Sequence, residues 1–194
     1  LTGNLQSKTG VRAYTLFTLF RLKTTISPFG VFASVLIALP VLTLLAALTA
    51  SLSFGEALSA AILGLGVMFV SEYLHQLGHA FAARRVGYPM IGVHFSTLLS
   101  TSVYPRDEPP LPPGVHIRRA LGGFWVNVVI GLLLAPYAFF LWFGGGVRGW
   151  LVAFTAVYNF FVLGLGALLP IDIPGVFTID GGTILRYWRE RRNH

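Results

Sequence analysis

The chain has 194 residues, enough for one domain, and 55% of them are hydrophobic while only 11% are charged. With a mean hydropathy of +0.72, that balance excludes an ordinary soluble domain and places the protein in the membrane class. The absence of cysteine excludes disulfides and thiolate ligands, and the net charge of +7 admits nucleic acid as a partner only until the basic residues are placed along the chain.

Residues 12–27 are rich in aromatic and β-branched side chains that partly alternate with polar ones, which predicts an interfacial strand, with a short amphipathic helix as the alternative. Pro28 and Gly30 open a first membrane span over about 31–52, whose Pro40 is tolerable if neighbours satisfy the freed carbonyl. The turn Ser53-Phe54-Gly55-Glu56 leads to a second span over about 57–83, closed by Arg84 and Arg85. Residues 86–104 are again β-like and too broken to span, and a proline-rich charged loop follows from Pro105 to Gly114. They predict a hairpin or sheet edge, able to take up an extended peptide as an added strand along 90–95, or else an ordinary connection. Two further spans follow over about 120–143 and 150–169, after which Pro170, Pro174 and Gly175 break the helix ahead of Asp180. The fold class expected is therefore a membrane α-helical protein of about four transmembrane helices with a small β-hairpin or edge element, all in the single domain 1–194.

Thirteen of the fourteen lysines and arginines fall before span one, between spans two and three, or after span four; only Arg148 falls on the other side. The positive-inside rule then puts both termini in the cytoplasm. Topology accounts for the basic charge, and no nucleic-acid partner is expected. The chain starts at Leu1 rather than Met, which reads as a trimmed chain, and no cleavable signal peptide is visible. Nothing in it speaks to oligomeric state.

The chemistry gathers late in the second span, in Ser71-Glu72-Tyr73-Leu74-His75-Gln76-Leu77-Gly78-His79-Ala80. Histidines four apart on a helix project from nearly one face, the spacing of zinc ligands. His75 lies roughly 27 Å along the helix from Ala57, close to the end marked by Arg84 and Arg85. Ionisable groups inside a span are costly and functional by default, although a hydrogen-bonded pair between helices would also place two histidines there. In the H-E-x-x-H pattern the glutamate is the general base, and here that position holds Gln76, which cannot take up a proton. Glu72 shares the face of Gln76 and His79, and either orients a ligand, stands in for the base, or is solvated in an access path.

His75-Gln76-Leu77-Gly78-His79, Gly123-Phe124-Trp125-Val126-Asn127 and Thr178-Ile179-Asp180-Gly181-Gly182 together resemble, in order, the three motif regions of the site-2 protease family of intramembrane zinc metalloproteases. The resemblance covers about Ala57 to Leu185. It implies one zinc ion per chain held by His75, His79 and Asp180, and hydrolysis of peptide bonds in or near the transmembrane segments of other proteins in the lipid bilayer, after local unwinding. Asp172 is the second candidate for the third ligand. Gln76 in place of glutamate implies a form that binds zinc and substrate but cleaves very slowly. It is read either as an introduced exchange in a protease or as a natural pseudoprotease that binds membrane proteins. Where the family carries an asparagine held to grip the substrate carbonyl, this chain has Ala167, and the stretch from Pro170 to Asp180 is longer than the commonest form. Asn127, or less directly Asn159, then becomes the expected amide donor to that carbonyl, with packing between spans as the other role open to it. His94 and His116 are expected at the surface or in the hairpin. A metal transporter is the remaining rival, and it would string polar residues along several spans.

Overall fold

The computed structural model describes residues 13–173 and 177–192. Among them, four helices carry the apolar runs: α1 (Pro28–Ala50), α2 (Phe54–Arg85), α3 (Pro113–Phe143) and α4 (Gly146–Leu168). Each is long and apolar enough to cross a membrane, as in a multi-pass integral membrane protein. The side chains are arranged accordingly. Ala46, Ala57, Ala60 and Ala61 are fully buried between helices, while Phe29, Phe140, Phe143 and many leucines point outward. An exposed apolar belt of that extent suits lipid, and small interior residues suit helices packed without a hydrophobic drive between them.

Local chemistry sets the helix ends. The Glu56 carboxylate accepts the Ser53 N–H at 3.0 Å and the Ser53 hydroxyl at 2.6 Å, so a reciprocal cap starts α2. Helix α3 begins at Pro113, seven residues before the span expected at about 120, because a proline at the first helical position loses no intrahelical hydrogen bond. That extension puts His116 and Arg119 on the first turns of α3. Helix α4 is α-helical to Val157, widens to π-helical over Tyr158–Gly164, and tightens to a 3-10 turn over Leu165–Leu168. It stops at Leu169, which is extended ahead of Pro170. The expected breakers Pro174 and Gly175 lie outside the described residues, as do Lys8 and Arg12.

Helices α2 and α3 cross at Gly78 and Gly122. A Cβ on Gly122 would come within 2.5 Å of the Gly78 carbonyl oxygen and 2.8 Å of the Ala82 Cβ. Only glycine permits this backbone approach, which brings the histidine face of α2 against α3.

Four strands, β1 (Tyr14–Leu19), β2 (Leu22–Ile26), β3 (Gly92–Phe95) and β4 (Ser100–Val103), form one sheet in the order β1-β2-β3-β4. The β1–β2 and β3–β4 pairs are antiparallel hairpins, while β2 and β3 are parallel. The single strand expected over 12–27 is instead a hairpin in the described part, turning at Phe20 and Arg21, whose φ angles are positive. The edge expected along 90–95 is displaced, because β3 is paired on both sides and β4 is the end strand. A second, two-stranded ribbon, β5 (Asp172–Ile173) with β6 (Phe177–Thr178), leads into the last helix, α5 (Asp180–Arg192).

Candidate metal centre

The crossing of α2 and α3 lines up two sets of residues spaced by four. On α2 these are His75 and His79; on α3, running the opposite way, they are Asn127, Gly123 and Arg119. His75 Nδ1 faces the Asn127 Oδ1 at 2.8 Å, and His79 Nδ1 faces the Arg119 backbone carbonyl at 2.8 Å. Gly123 lies between, and a Cβ there would fall 2.6 Å from His79 Nε2 and closer still to His75 Nε2. The glycine leaves room for two imidazole rings whose Nε2 atoms converge.

Hydrogen-bond chemistry settles which nitrogens carry protons. A backbone carbonyl can only accept, so the 2.8 Å contact makes His79 Nδ1 the donor, and it outweighs the longer 3.4 Å approach of the Gly123 N–H to the same atom. For His75 the argument runs through two amides. Asn159 Nδ2 donates to the Thr155 carbonyl at 2.9 Å and to the Ser71 hydroxyl at 2.9 Å, which turns Asn159 Oδ1 toward Asn127. Asn127 Nδ2 donates to that oxygen at 2.7 Å and therefore presents Oδ1 to His75. Nδ1 of His75 must then donate as well. Both asparagines are fully buried, so no water offers an alternative.

With protons on both Nδ1 atoms, each ring in its neutral form presents a lone pair at Nε2. The two Nε2 atoms lie 3.0 Å apart, and Asp180 Oδ2, from the first residue of α5, lies 3.2 Å from one and 3.4 Å from the other. Asp180 Oδ2 is buried with no hydrogen-bond partner. Three such atoms this close repel unless a proton or a metal cation sits among them. Tetrahedral zinc with bonds of about 2.0–2.1 Å separates its ligand atoms by roughly 3.3–3.4 Å. The residues therefore fit a His-His-Asp cluster able to hold a metal ion.

A cavity of about 480 Å³ opens on the cluster, lined by His75, His79 and Asp180 with Glu72, Gln76, Ser100, Ser102, Tyr104, Glu108, His116, Arg119 and Ala167. Gln76 is buried, and its amide is used at both ends: Nε2 donates to the Ser100 carbonyl at 3.3 Å and Oε1 accepts the Ser102 hydroxyl at 2.7 Å. One turn earlier, Glu72 Oε2 accepts the Ser100 hydroxyl at 2.9 Å and the Ser100 N–H at 3.4 Å. Both side chains thus fasten the end strand β4 to α2.

Asn127 stands behind His75 and not in the cavity, a different position from that expected of a carbonyl donor; Asn159 is farther back in the same chain. Ala167 lines the cavity and offers no side-chain donor. Asp172 is outside the cluster: its carboxylate accepts the Thr178 hydroxyl at 2.6 Å and pairs with Arg186, and these contacts hold it below the usual carboxylate range. His94 bridges β2 and β3, between the hydroxyls of Thr25 at 2.9 Å and Ser27 at 3.2 Å. His116 stacks on Tyr187 of α5 at 3.9 Å.

Sequence reasoning missed Arg119. Its carbonyl orients His79, and its guanidinium binds Glu108 at 2.5 and 3.0 Å and the Tyr88 carbonyl at 2.6 Å, lying over the Tyr104 ring at 4.1 Å. The spacing 119, 123, 127 was the available signal, since it mirrors 75 and 79 on an antiparallel helix.

No protein-family model matches the chain. A zinc metalloprotease of Methanocaldococcus jannaschii is 27% identical to it over 120 residues, which are 62% of this chain and 32% of that protein. The alignment thus spans about a third of the relative's length. Among solved structures, the site-2 protease from Methanocaldococcus jannaschii superposes with a TM-score of 0.56 at 20% identity, over 93% of this chain and 73% of that one. The chain shares the fold of that site-2 protease, and within it His75, His79 and Asp180 come together where α2 and α3 cross.

Proposed function

We propose that this chain is a minimal intramembrane metalloprotease core of the site-2 type, one domain holding one zinc ion on His75, His79 and Asp180. The observation that carries the reading is the triangle of three ligand atoms 3.0–3.4 Å apart, with the buried and unpartnered Asp180 Oδ2 among them. Bound zinc would supply Lewis acidity to a water and to a substrate carbonyl.

The chain's own residues do the rest. Asn127 and the Arg119 carbonyl hold the imidazoles in the ligating tautomer. The cavity admits water and an unwound segment of another membrane protein, which would lie along the outer edge of β4. Helices α1 to α4 keep the site inside the bilayer, near the end that carries most of the arginines, which the positive-inside rule assigns to the cytoplasm with both termini. Gln76 cannot serve as base, so cleavage is expected to be about 10²- to 10⁴-fold slower than with glutamate there.

A second reading is favoured by the bonding of Gln76. Both ends of its amide have partners on β4, and a glutamate would lose the donor to the Ser100 carbonyl. That supports a chain to which glutamine is native, either a pseudoprotease that holds membrane proteins or a protease whose carboxylate has moved one turn back to Glu72.

Metal content of purified protein, beside Asp180→Ala, tests the first reading. About one zinc per chain, lost in the variant, supports it; no zinc after reconstitution overturns it. Gln76→Glu then separates the two: cleavage of a membrane-protein substrate that appears only in the variant marks a disabled protease, and continued inactivity with intact zinc marks the binding protein.

A further inference from the structure

We propose that α5 is an anchor for anionic lipid headgroups, and that its hold on the bilayer surface seats Asp180 in the metal cluster; the second half rests on the zinc reading above.

The direction of α5 comes from its two ends. Asp180, its first residue, meets His75 and His79 beside Gly123, and Tyr187, seven residues later, stacks on His116, seven residues before Gly123. Helix α5 therefore runs alongside α3, outward from the cluster. At about 1.5 Å per residue, Arg189, Arg191 and Arg192 lie roughly 13–18 Å beyond Asp180. They reach the end of the bundle where α2 finishes in Arg84 and Arg85 and α3 starts with Arg118.

The chemistry of that outer turn suits one partner. Arg189, Arg191 and Arg192 are exposed and have no carboxylate within ion-pair distance among the described residues. Arg186 differs, being paired with Asp172. Next to these arginines, Trp188 is 56% exposed among the described residues, a large amphipathic ring turned mostly outward. Tryptophan with arginine at the end of a membrane bundle is the composition of an interfacial anchor, the ring at headgroup depth and the guanidinium groups on phosphate. Exposed Arg21, Arg84, Arg85 and Arg118 extend the same charge around that end of the bundle, as a flat anionic surface requires.

The coupling follows from α5 carrying a ligand at its first residue and the basic turn at its last. The helix is no span and is joined to α4 by the irregular stretch after Leu168. It packs along α3, and the His116–Tyr187 stack, the Arg186–Asp172 pair and the close approach of Gly181 and Gly182 to the backbone of 168–171 are among the contacts that fix its position. Neutralising and holding the outer turn would favour the seated position of Asp180, and by reciprocity a filled metal site would favour lipid contact.

The chain has no cysteine, so Glu190→Cys accepts a single environment-sensitive dye while keeping Trp188 and every arginine. The labelled protein is compared in nanodiscs of phosphatidylcholine alone and with a third of phosphatidylglycerol, and zinc loss to a chelator is timed in both. The expected result is a blue-shifted, salt-reversible emission in the anionic discs and zinc loss slowed about fivefold or more. Arg189→Gln, Arg191→Gln and Arg192→Gln together should abolish both differences, leaving the variant like the parent in neutral discs, which also shows that it folds. Emission independent of lipid charge overturns the anchor, as does a shift produced by soluble polyglutamate but not by phosphatidylglycerol. A lipid-dependent shift with unchanged zinc loss overturns the coupling. Zinc binding absent in every disc sinks the metal reading and the coupling with it, while the dye still decides whether α5 meets lipid.

Discussion

The backbone carbonyl of Thr155, on α4, determines which nitrogen of His75, on α2, carries the proton. Thr155 O orients Asn159, Asn159 orients Asn127, and Asn127 accepts the His75 Nδ1 proton, in bonds of 2.9, 2.7 and 2.8 Å. Three helices thus cooperate to leave one lone pair pointing at the cluster. Asn127→Ala should weaken zinc binding about 10- to 100-fold, measured by competition with a chromogenic chelator, with Asn159→Ala giving a smaller loss. Because the two act in series, the double variant should be no worse than Asn127→Ala alone. Zinc affinity within twofold of the parent in Asn127→Ala would contradict the relay.

Gly123 is sensitive to substitution although it offers the metal no ligand. The Cβ of Gly123→Ala would press on both Nε2 atoms, and α3 could make room only by giving up its close packing on α2 at Gly78 and Gly122. Zinc stoichiometry should fall from about one to near zero while the helical circular dichroism and the elution of the detergent complex stay unchanged. Retention of a full zinc complement would show that the crossing is looser than the structure has it.

The division of labour between Glu72 and Gln76 is open to an exchange experiment. Glu72→Gln should leave zinc content unchanged, since no ligand nitrogen bonds to it, and should lower any residual cleavage by about 10²-fold or more if its carboxylate acts in place of the missing base. Gln76→Glu should loosen β4 as well, because the Ser100 carbonyl loses its donor. Hydrogen exchange at Ser100–Val103 reads that loosening, and protection equal to the parent's would argue that β4 is held by its pairing to β3 alone.

The Glu108–Arg119 pair predicts a pH response at the mouth of the cavity. The hydrogen bond from Arg119 holds the Glu108 carboxyl below its ordinary value of 4.5. A carboxyl depressed in the folded state adds docking free energy that is complete above the ordinary value and is lost as pH falls below it. The loop from Pro105 to Pro112 should therefore be pinned at neutral pH and released in the acid range below about 4.5. A spin label on Asp107→Cys should sharpen on acidification, and in Glu108→Gln it should be mobile already at pH 7. A line shape independent of pH in the parent would remove the pair from any part in holding the loop.

Much of this molecule can be read in one dimension. Membrane class, the four apolar helices and the histidine pair follow from local properties, namely run length, hydropathy and the return of a helix to one face every four residues. Gln76 and Asp180 were visible as residues, and their place in an ordered set of motifs was visible as a pattern. What could not be read were the contacts between segments far apart in sequence. The parallel pairing of β2 with β3 spans two whole helices, so no hairpin signal announces it. It follows that the sheet's end strand is β4 and not the stretch 90–95. The tie of Gln76 to Ser100 and Ser102, and the place of Asn127 behind His75, likewise depend on which faces of α2, α3 and β4 meet.

The sequence alone determined which atoms are able to bind a metal, because ligand chemistry belongs to residue type and helical spacing to the backbone. Only the tertiary structure decided that these atoms converge on one point. Three lone pairs lie within 3.4 Å because two glycines let α2 and α3 touch and α5 delivers a carboxylate from 101 residues beyond His79, where the intervening chain imposes no distance of its own.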